Sequence, residues 1–245
     1  MPHDCLMALF TDRAYSQLLD SGRHLYPGVR IGRPGRARTY WATIAGMRLL
    51  RLRWKVVVIG ADHVAPGAAI LVGNHVSAMD PVATVMSQWW RVTAFAKVEV
   101  FQARGAIFFR LMGQIPLRRG DEESTTWALA MAASTLADGN KVGVYPEGTR
   151  SPDPLTLHRL HPRVLVPLLK DNPGVPVHAI TTTYPQGTGR RRIDVAISAP
   201  LSIDPQASET DITDAIRDAL LALADLEYVD ESAATVKRRM TGAAG

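Results

Sequence analysis

A histidine and an aspartate stand five positions apart, His75 and Asp80, in the polar stretch Gly-Asn-His-Val-Ser-Ala-Met-Asp-Pro that spans 73–81. Histidine is the side chain whose ordinary pKa lies closest to neutrality, so His75 has the chemistry of a general base. A carboxylate held against its ring would orient it and stabilise the imidazolium as it forms, as the buried aspartate of a serine-protease triad does. The same residues also make a plain helix start, with Asp80 as N-cap, Pro81 at the first helical position and His75 hydrogen-bonded in a turn. Two further stretches carry chemistry. Tyr-Pro-Glu-Gly-Thr-Arg-Ser at 145–151 offers a carboxylate, Glu147, a glycine that permits close backbone approach, Gly148, and an arginine, Arg150, whose planar fork suits a phosphate or carboxylate. Gly-Gln-Ile-Pro-Leu-Arg-Arg at 113–119, with Lys97 and Glu99 upstream, adds Arg119.

These residues need a scaffold that brings distant loops together. From residue 55 onward, apolar runs of strand length at 55–59, 68–72, 92–96, 114–117, 142–145, 175–183 and 193–198 alternate with helical patterns at 81–90, 101–112, 122–137 and 164–169. That alternation predicts an α/β fold, a mixed, largely parallel sheet covered by helices. The turn-rich 185–190 reads as a hairpin that makes the edge of the sheet antiparallel. A last helix is expected over 209–227 behind Ser208 or Thr210, its Ile212, Ile216, Leu220 and Leu223 recurring at helical spacing. The expected organisation is an N-terminal basic, amphipathic extension over 1–54, a domain over 55–228 and a frayed tail over 229–245.

Within the extension, a helix is expected at 6–19 and a Gly-, Pro- and Arg-rich loop at 27–38. Between Ser21 and Gly60 there is no Asp or Glu, while Arg23, Arg30, Arg33, Arg36, Arg38, Arg48, Arg51, Arg53 and Lys55 are all basic. Over 39–54 these arginines are interleaved with Tyr40, Trp41, Ile44, Leu49, Leu52 and Trp54. That pattern describes either a membrane-associating helix lying in a lipid interface or a core-packing helix with a basic edge, and the missing counter-charge favours the first. No apolar run reaches the ~18 residues of a spanning helix, and 1–19 does not read as a secretory signal. One cysteine, Cys5, excludes an internal disulfide framework, and no Cys/His spacing suggests a metal site. The net charge of +5 comes without a nucleic-acid recognition motif, so no nucleic-acid partner is expected. Nothing supplies a Gly-x-Ser-x-Gly elbow for a serine thioesterase.

Taken together, the motifs resemble those of the lysophospholipid acyltransferase family, the glycerolipid acyltransferases typified by 1-acylglycerol-3-phosphate O-acyltransferase. Asn74, His75 and Asp80 match its first motif. Lys97, Glu99, Gly113, Ile115 and Arg119 match its second, 146–151 its third, and Val175, Pro176 and Val177 its fourth, all in the family's order. The resemblance implies transfer of a fatty acyl group from a thioester, acyl-CoA or acyl-ACP, to the hydroxyl of a lysophospholipid, with 1-acyl-sn-glycerol-3-phosphate as the default acceptor. It implies His75 and Asp80 as the catalytic pair, and Arg119, Glu147, Gly148, Thr149 and Arg150 at the substrate, with backbone amides near Gly148 available to an oxyanion. It calls for no metal and no cofactor, and places the chain peripherally on the cytoplasmic face of an anionic membrane. Two departures, Arg118 where the family often has Asp and His-Arg-Leu-His-Pro-Arg at 158–163 in place of a Phe-Lys-x-Gly-like segment, fall where the acceptor would be held. They leave open a different lysolipid or glycolipid acceptor, and a non-catalytic protein that binds anionic lipid.

Overall fold

The strand Ala-Ile-Leu-Val-Gly at Ala69–Gly73 (β2) is buried along its whole length, the pattern of a strand covered on both faces. It lies in the middle of a seven-stranded sheet. The other strands are Trp54–Ile59 (β1), Val92–Lys97 (β3), Ile115–Leu117 (β4), Lys141–Val144 (β5), Val177–Thr183 (β7) and Arg191–Ile197 (β8), and their order is β1-β8-β7-β2-β5-β3-β4. The computed structural model describes residues 17–32, 38–102, 106–186 and 191–242. β7, β2, β5, β3 and β4 run parallel, β8 turns back antiparallel to β7, and β1 lies parallel to β8. The mixed, largely parallel α/β sheet expected from the sequence is thus present, with one change. The reversing pair β7–β8 lies inside the sheet, and the strand that forms the edge beside it is β1. Of the expected turn at 185–190, residues 187–190 fall outside the described residues, as do 6–16 of the expected first helix and 33–37 of the loop after it.

Two apolar layers cover the sheet. On one face lie Glu122–Ala137 (α4), Pro162–Lys170 (α5) and Glu209–Leu223 (α6), burying Trp127, Met131, Leu165, Leu168, Ile212 and Ile216 against β2, β5 and β7. Each of the two longest helices starts on a side-chain cap. Asp121 accepts from Ser124 N at 3.0 Å, and Ser208 accepts from Asp211 N at 3.1 Å. On the other face lie Arg38–Arg48 (α1), Asp80–Ser87 (α2) and the short Ala106–Leu111 (α3), with Tyr40, Ile44, Ala83, Val85 and Met86 in the core. α2 ends three residues before the expected 90.

Described residues of the expected N-terminal extension are part of the packed structure on both faces: Leu25 and Tyr26 are buried beside Trp127, and the chain from residue 38 onward packs on the opposite face. Tyr40 and Ile44 are fully buried, and the Tyr40 hydroxyl accepts from Val92 N at 2.7 Å. One face of this helix packs in the core, as the second alternative expects, while Trp41 on the helix and Leu49 and Leu52 in the turn after it are exposed. Two of its arginines have internal work. Arg48 and Arg51 each donate to the carbonyl of Met86 at 3.1 Å, satisfying the C-terminal turn of α2. The expected frayed tail is also replaced by structure. Glu227–Val229 (β9) pairs with Thr156–His158 (β6) in a second, two-stranded parallel sheet, and Ala233–Gly242 (α7) is helical. The sequence shows neither β6 nor β9 because each is three residues long, too short for a periodicity to register.

Candidate active site

Parallel strands end at one edge, and in such sheets that edge is where loops converge. The order β7-β2-β5-β3-β4 sets side by side, just past the strand ends, Tyr184, then His75, then Tyr145 and Glu147, then Lys97 and Glu99, then Arg119. Residues scattered over more than a hundred positions become neighbours through strand order alone.

The loop after β2 is fixed at both ends. Asn74, 2% exposed, donates its side-chain amide to Thr182 O at 3.2 Å and accepts from Thr182 N at 2.8 Å, closing the gap between β2 and β7. At the other end Asp80, fully buried, folds back over the loop. Its Oδ2 lies 2.8 Å from His75 Nδ1 and accepts from Val76 N and Ser77 N at 2.8 Å each, and its Oδ1 accepts from the Tyr184 hydroxyl at 2.6 Å. Asp80 is the first residue of α2 and does not cap it, so the plain helix-start alternative fails on geometry. With three other donors aimed at it, the Asp80 carboxylate can only accept, which assigns the proton of His75 to Nδ1 and leaves Nε2 with its lone pair. The His75 ring is about one-fifth exposed and stacks on Tyr145, with centroids 4.7 Å apart. Tyr145 reaches that position because Gly73 has no side chain; a Cβ there would lie 3.0 Å from the phenol ring. Burial, and then the charge of Asp80, push the hydroxyls of Tyr145 and Tyr184 far above the ordinary tyrosine pKa, so both remain neutral.

Glu147 faces inward. It is 1% exposed, and its two oxygens accept from His75 N at 2.7 Å and His158 N at 3.1 Å. Expected at the substrate, it instead holds the backbone of His75 from beneath, and substrate has no free carboxylate oxygen to meet. Burial pushes its pKa up to about 7; the two amide bonds oppose this and the charge of Asp80 adds to it. His75 O in turn accepts from Ser151 N at 2.6 Å, so the third motif grips the first at both of its ends.

Gly148 has φ +69°, the left-handed conformation that L side chains rarely adopt, and a Cβ there would meet His161 at 3.3 Å and the Arg119 guanidinium at 3.8 Å. Arg119 therefore lies against Gly148. The Gly148 amide is not available to an oxyanion, because it donates to Tyr145 O at 3.0 Å. Thr149 is partly exposed beside it and Arg150 is exposed. Partial burial holds Arg119 below its ordinary pKa, with Glu99 opposing, and His161 is lowered by burial and then by Arg119 and Arg159. The structure thus brings His75, Asp80, Glu147, Gly148, Thr149, Arg119 and Lys97 to one edge of the sheet.

Sequence reasoning missed the roles of Tyr184 and Tyr145. Tyr145 adjoins the third motif and could have been singled out as an aromatic next to a catalytic loop. Tyr184, 104 positions from Asp80, carries no local signal.

Over 99 residues, 40% of this chain and 40% of the relative's, the sequence is 28% identical to a 1-acyl-sn-glycerol-3-phosphate acyltransferase of Borreliella burgdorferi, so the match spans about two fifths of that curated relative's length. The fold is similar to the crystal structure of a 1-acyl-sn-glycerophosphate (LPA) acyltransferase from Thermotoga maritima, with a TM-score of 0.57 and 23% identity over 74% of this chain and 78% of that one. Residues 55–188 match the model of the Acyltransferase family, a span that exceeds half of the 245 residues and holds His75, Asp80, Arg119, Glu147, Arg150 and Tyr184. On that match the chain belongs to the Acyltransferase family.

Proposed function

We propose that this chain transfers an acyl group from an acyl thioester to the free hydroxyl of a lysophospholipid, with 1-acyl-sn-glycerol-3-phosphate as the first acceptor to consider. The observation that carries this reading is the 2.8 Å contact of His75 Nδ1 with a buried Asp80, which leaves Nε2 bare. Nε2 takes the proton of the acceptor hydroxyl as that oxygen attacks the thioester carbonyl carbon. The tetrahedral adduct collapses with cleavage of the C–S bond, and the proton passes from Nε2 to the departing thiolate. Ester and thiol are the products, and no covalent enzyme intermediate is required. Asp80, fixed by two backbone amides and Tyr184, stabilises the imidazolium between the two proton transfers. General-base catalysis of this kind contributes ~10² to 10⁴ in rate, and orientation of the acceptor by Arg119 and Arg150 supplies more. Both acyl-CoA and acyl-ACP are donors compatible with this chemistry, and either enters as a substrate; the steps use no metal or cofactor.

The activities named for the Borreliella burgdorferi and Thermotoga maritima proteins support the same acceptor. Membrane association belongs to this reading as well. Among the described residues no helix is long and apolar enough to cross a membrane. The exposed Trp41, Leu49, Leu52, Trp89, Ile107 and Phe108 lie on the packed set α1, α2 and α3 and the short turns after α1 and α2. Arg48 lies over the Trp89 ring at 4.5 Å and Arg91 over Trp41 at 5.1 Å. Apolar side chains alternating with guanidinium groups fit an anionic bilayer interface, which would place the protein peripherally on the cytoplasmic face. The test is turnover of labelled acyl-CoA and acyl-ACP with lysophosphatidic acid by wild type and by His75→Ala. We expect transfer by the first, none by the second, and the same circular dichroism for both; full activity in His75→Ala rules the mechanism out.

A further inference from the structure

The segment His-Arg-Leu-His-Pro-Arg at 158–163, one of the two departures from the family's motifs, carries four polar side chains, and the fold commits three of them elsewhere. His158 is buried, with Nδ1 3.2 Å from Glu231 O. Arg159 pairs with Asp230 at 2.8 Å. Arg163 lines the groove between α4 and α5. His161 is the fourth. Its backbone is fixed to the third motif, His161 N donating to Pro146 O at 2.8 Å, and the buried Leu160 anchors the chain just before it. His161 stands at the N-cap of α5 but makes no side-chain cap bond, so the helix does not use its ring.

That ring reaches Gly148. His161 Cδ2 and the Arg119 Nη2 both come within 4 Å of the point that a Cβ of residue 148 would occupy, at 3.3 and 3.8 Å. Nε2 is the next atom of the ring after Cδ2, so a ring nitrogen and a guanidinium approach one spot. A side chain at 148 would crowd both groups, and glycine leaves the spot open. Both side chains are exposed, and among the described residues neither has a hydrogen-bond partner. Glu99 offsets part of the Arg119 charge. Partial burial, then Arg119, then Arg159 hold His161 below its ordinary pKa, so its ring is neutral at pH 7 and has one N–H to give. Glu147, the residue before Gly148, accepts from His75 N at 2.7 Å, so the pair of donors stands beside the loop that carries the base. An anion seated over Gly148 accepts from the guanidinium and from the ring N–H together.

We propose that His161 is a further ligand of the acceptor headgroup, its ring N–H and the Arg119 guanidinium together holding a phosphomonoester over Gly148. The proposal rests on the acyltransferase reading for its ligand class, a lysolipid carrying a terminal phosphate, and on the shared approach to Gly148 for the residue.

The test titrates the full chain calorimetrically with a short-chain lysophosphatidate below its micelle concentration, with inorganic phosphate as a second probe. His161→Ala is expected to weaken lysophosphatidate binding about tenfold, the scale of one hydrogen bond to a charged group. His161→Gln, whose carboxamide still donates, should stay within about threefold of wild type. Lys170→Ala, at the opposite end of α5, should leave binding unchanged. Loss of affinity for both probes in His161→Ala supports a contact with any phosphoryl group, and loss for the lipid alone supports a contact made only with the lipid headgroup. Binding by His161→Ala within about twofold of wild type overturns the proposal. An equal loss in Lys170→Ala overturns it too, since that signifies general attraction to a basic surface. Wild-type turnover measured on the same preparations separates the two readings. Turnover with binding insensitive to His161 refutes this proposal alone, and His161-sensitive binding without turnover refutes the catalytic reading alone. Absence of lysophosphatidate binding by wild type refutes the headgroup site itself.

Discussion

Replacing Glu147 with glutamine should separate what the carboxylate costs the fold from what it does for His75. Glu147 is 1% exposed, accepts two backbone amides, and titrates near 7 instead of 4.5 because burial disfavours its charge. A carboxyl whose folded pKa is raised binds its proton more tightly when folded. Its contribution to stability is therefore complete below pH 4.5 and is lost as pH rises through about 7. At about 1.4 kcal/mol per unit, the gap is worth about 3 kcal/mol. Glutamine has the shape of the protonated acid, with one acceptor and one donor, but does not titrate. Glu147→Gln should therefore match wild type in stability near pH 4 and exceed it by about 3 kcal/mol at pH 8. It should be less active there, since the ionised carboxylate satisfies both the His75 and His158 amides and the carboxamide only one. The assay is urea unfolding followed by tryptophan fluorescence at both pH values, read as the difference of differences, so that every other titrating group cancels, with turnover measured alongside. A double difference below about 1 kcal/mol, or a variant less stable than wild type at pH 8, refutes the reasoning. The expected outcome is a trade of stability for placement of a catalytic loop.

Asp80→Asn should lower kcat by ~10³ to 10⁴ with KM for the lysolipid changed only a few-fold, because the carboxamide cannot accept from all four donors and releases the His75 tautomer; steady-state kinetics that show a KM defect alone would contradict this. Leu49→Glu combined with Leu52→Glu should reduce partition onto phosphatidylglycerol vesicles about tenfold or more by removing apolar contact and adding like charge. The same double variant should leave the thermal midpoint unchanged, since the two side chains are 66% and 76% exposed; a vesicle sedimentation assay and a melting curve check both.

How far the site could be read in advance depends on how far apart its parts lie in the chain. His75 and Asp80 were legible because a loop of five residues can close on itself, and the Glu147–Ser151 run because its parts are contiguous. The sheet was legible because strands buried on both faces read as continuous apolar runs. Direction was not legible: nothing in Pro-Glu-Gly-Thr-Arg tells that Glu147 points under His75 while Arg150 points out, since that depends on the φ of Gly148 and on His158, which arrives from β6. Tyr184 was illegible for a simpler reason, being a single residue that acts over a separation no local pattern spans.

The basic block at the N-terminus shows how charge can be counted correctly and assigned only in part. A run of arginines without counter-charge predicts an anionic partner, but Arg48 and Arg51 have found the carbonyl of Met86, a partial negative charge at the end of a helix. The partial charge they answer is part of the protein. Arg48 also lies over the exposed Trp89 ring and Arg91 over Trp41, and the bonds to Met86 give α1 and the turn after it a second role. The helix whose far end Arg48 and Arg51 secure is α2, and the first residue of α2 is Asp80. The element that carries Trp41, Leu49 and Leu52 to the surface and the carboxylate that orients His75 are therefore joined by a single helix of eight residues. Two arginine hydrogen bonds thus hold that helix at one end, and four contacts of its first carboxylate hold the His75 loop and Tyr184 at the other.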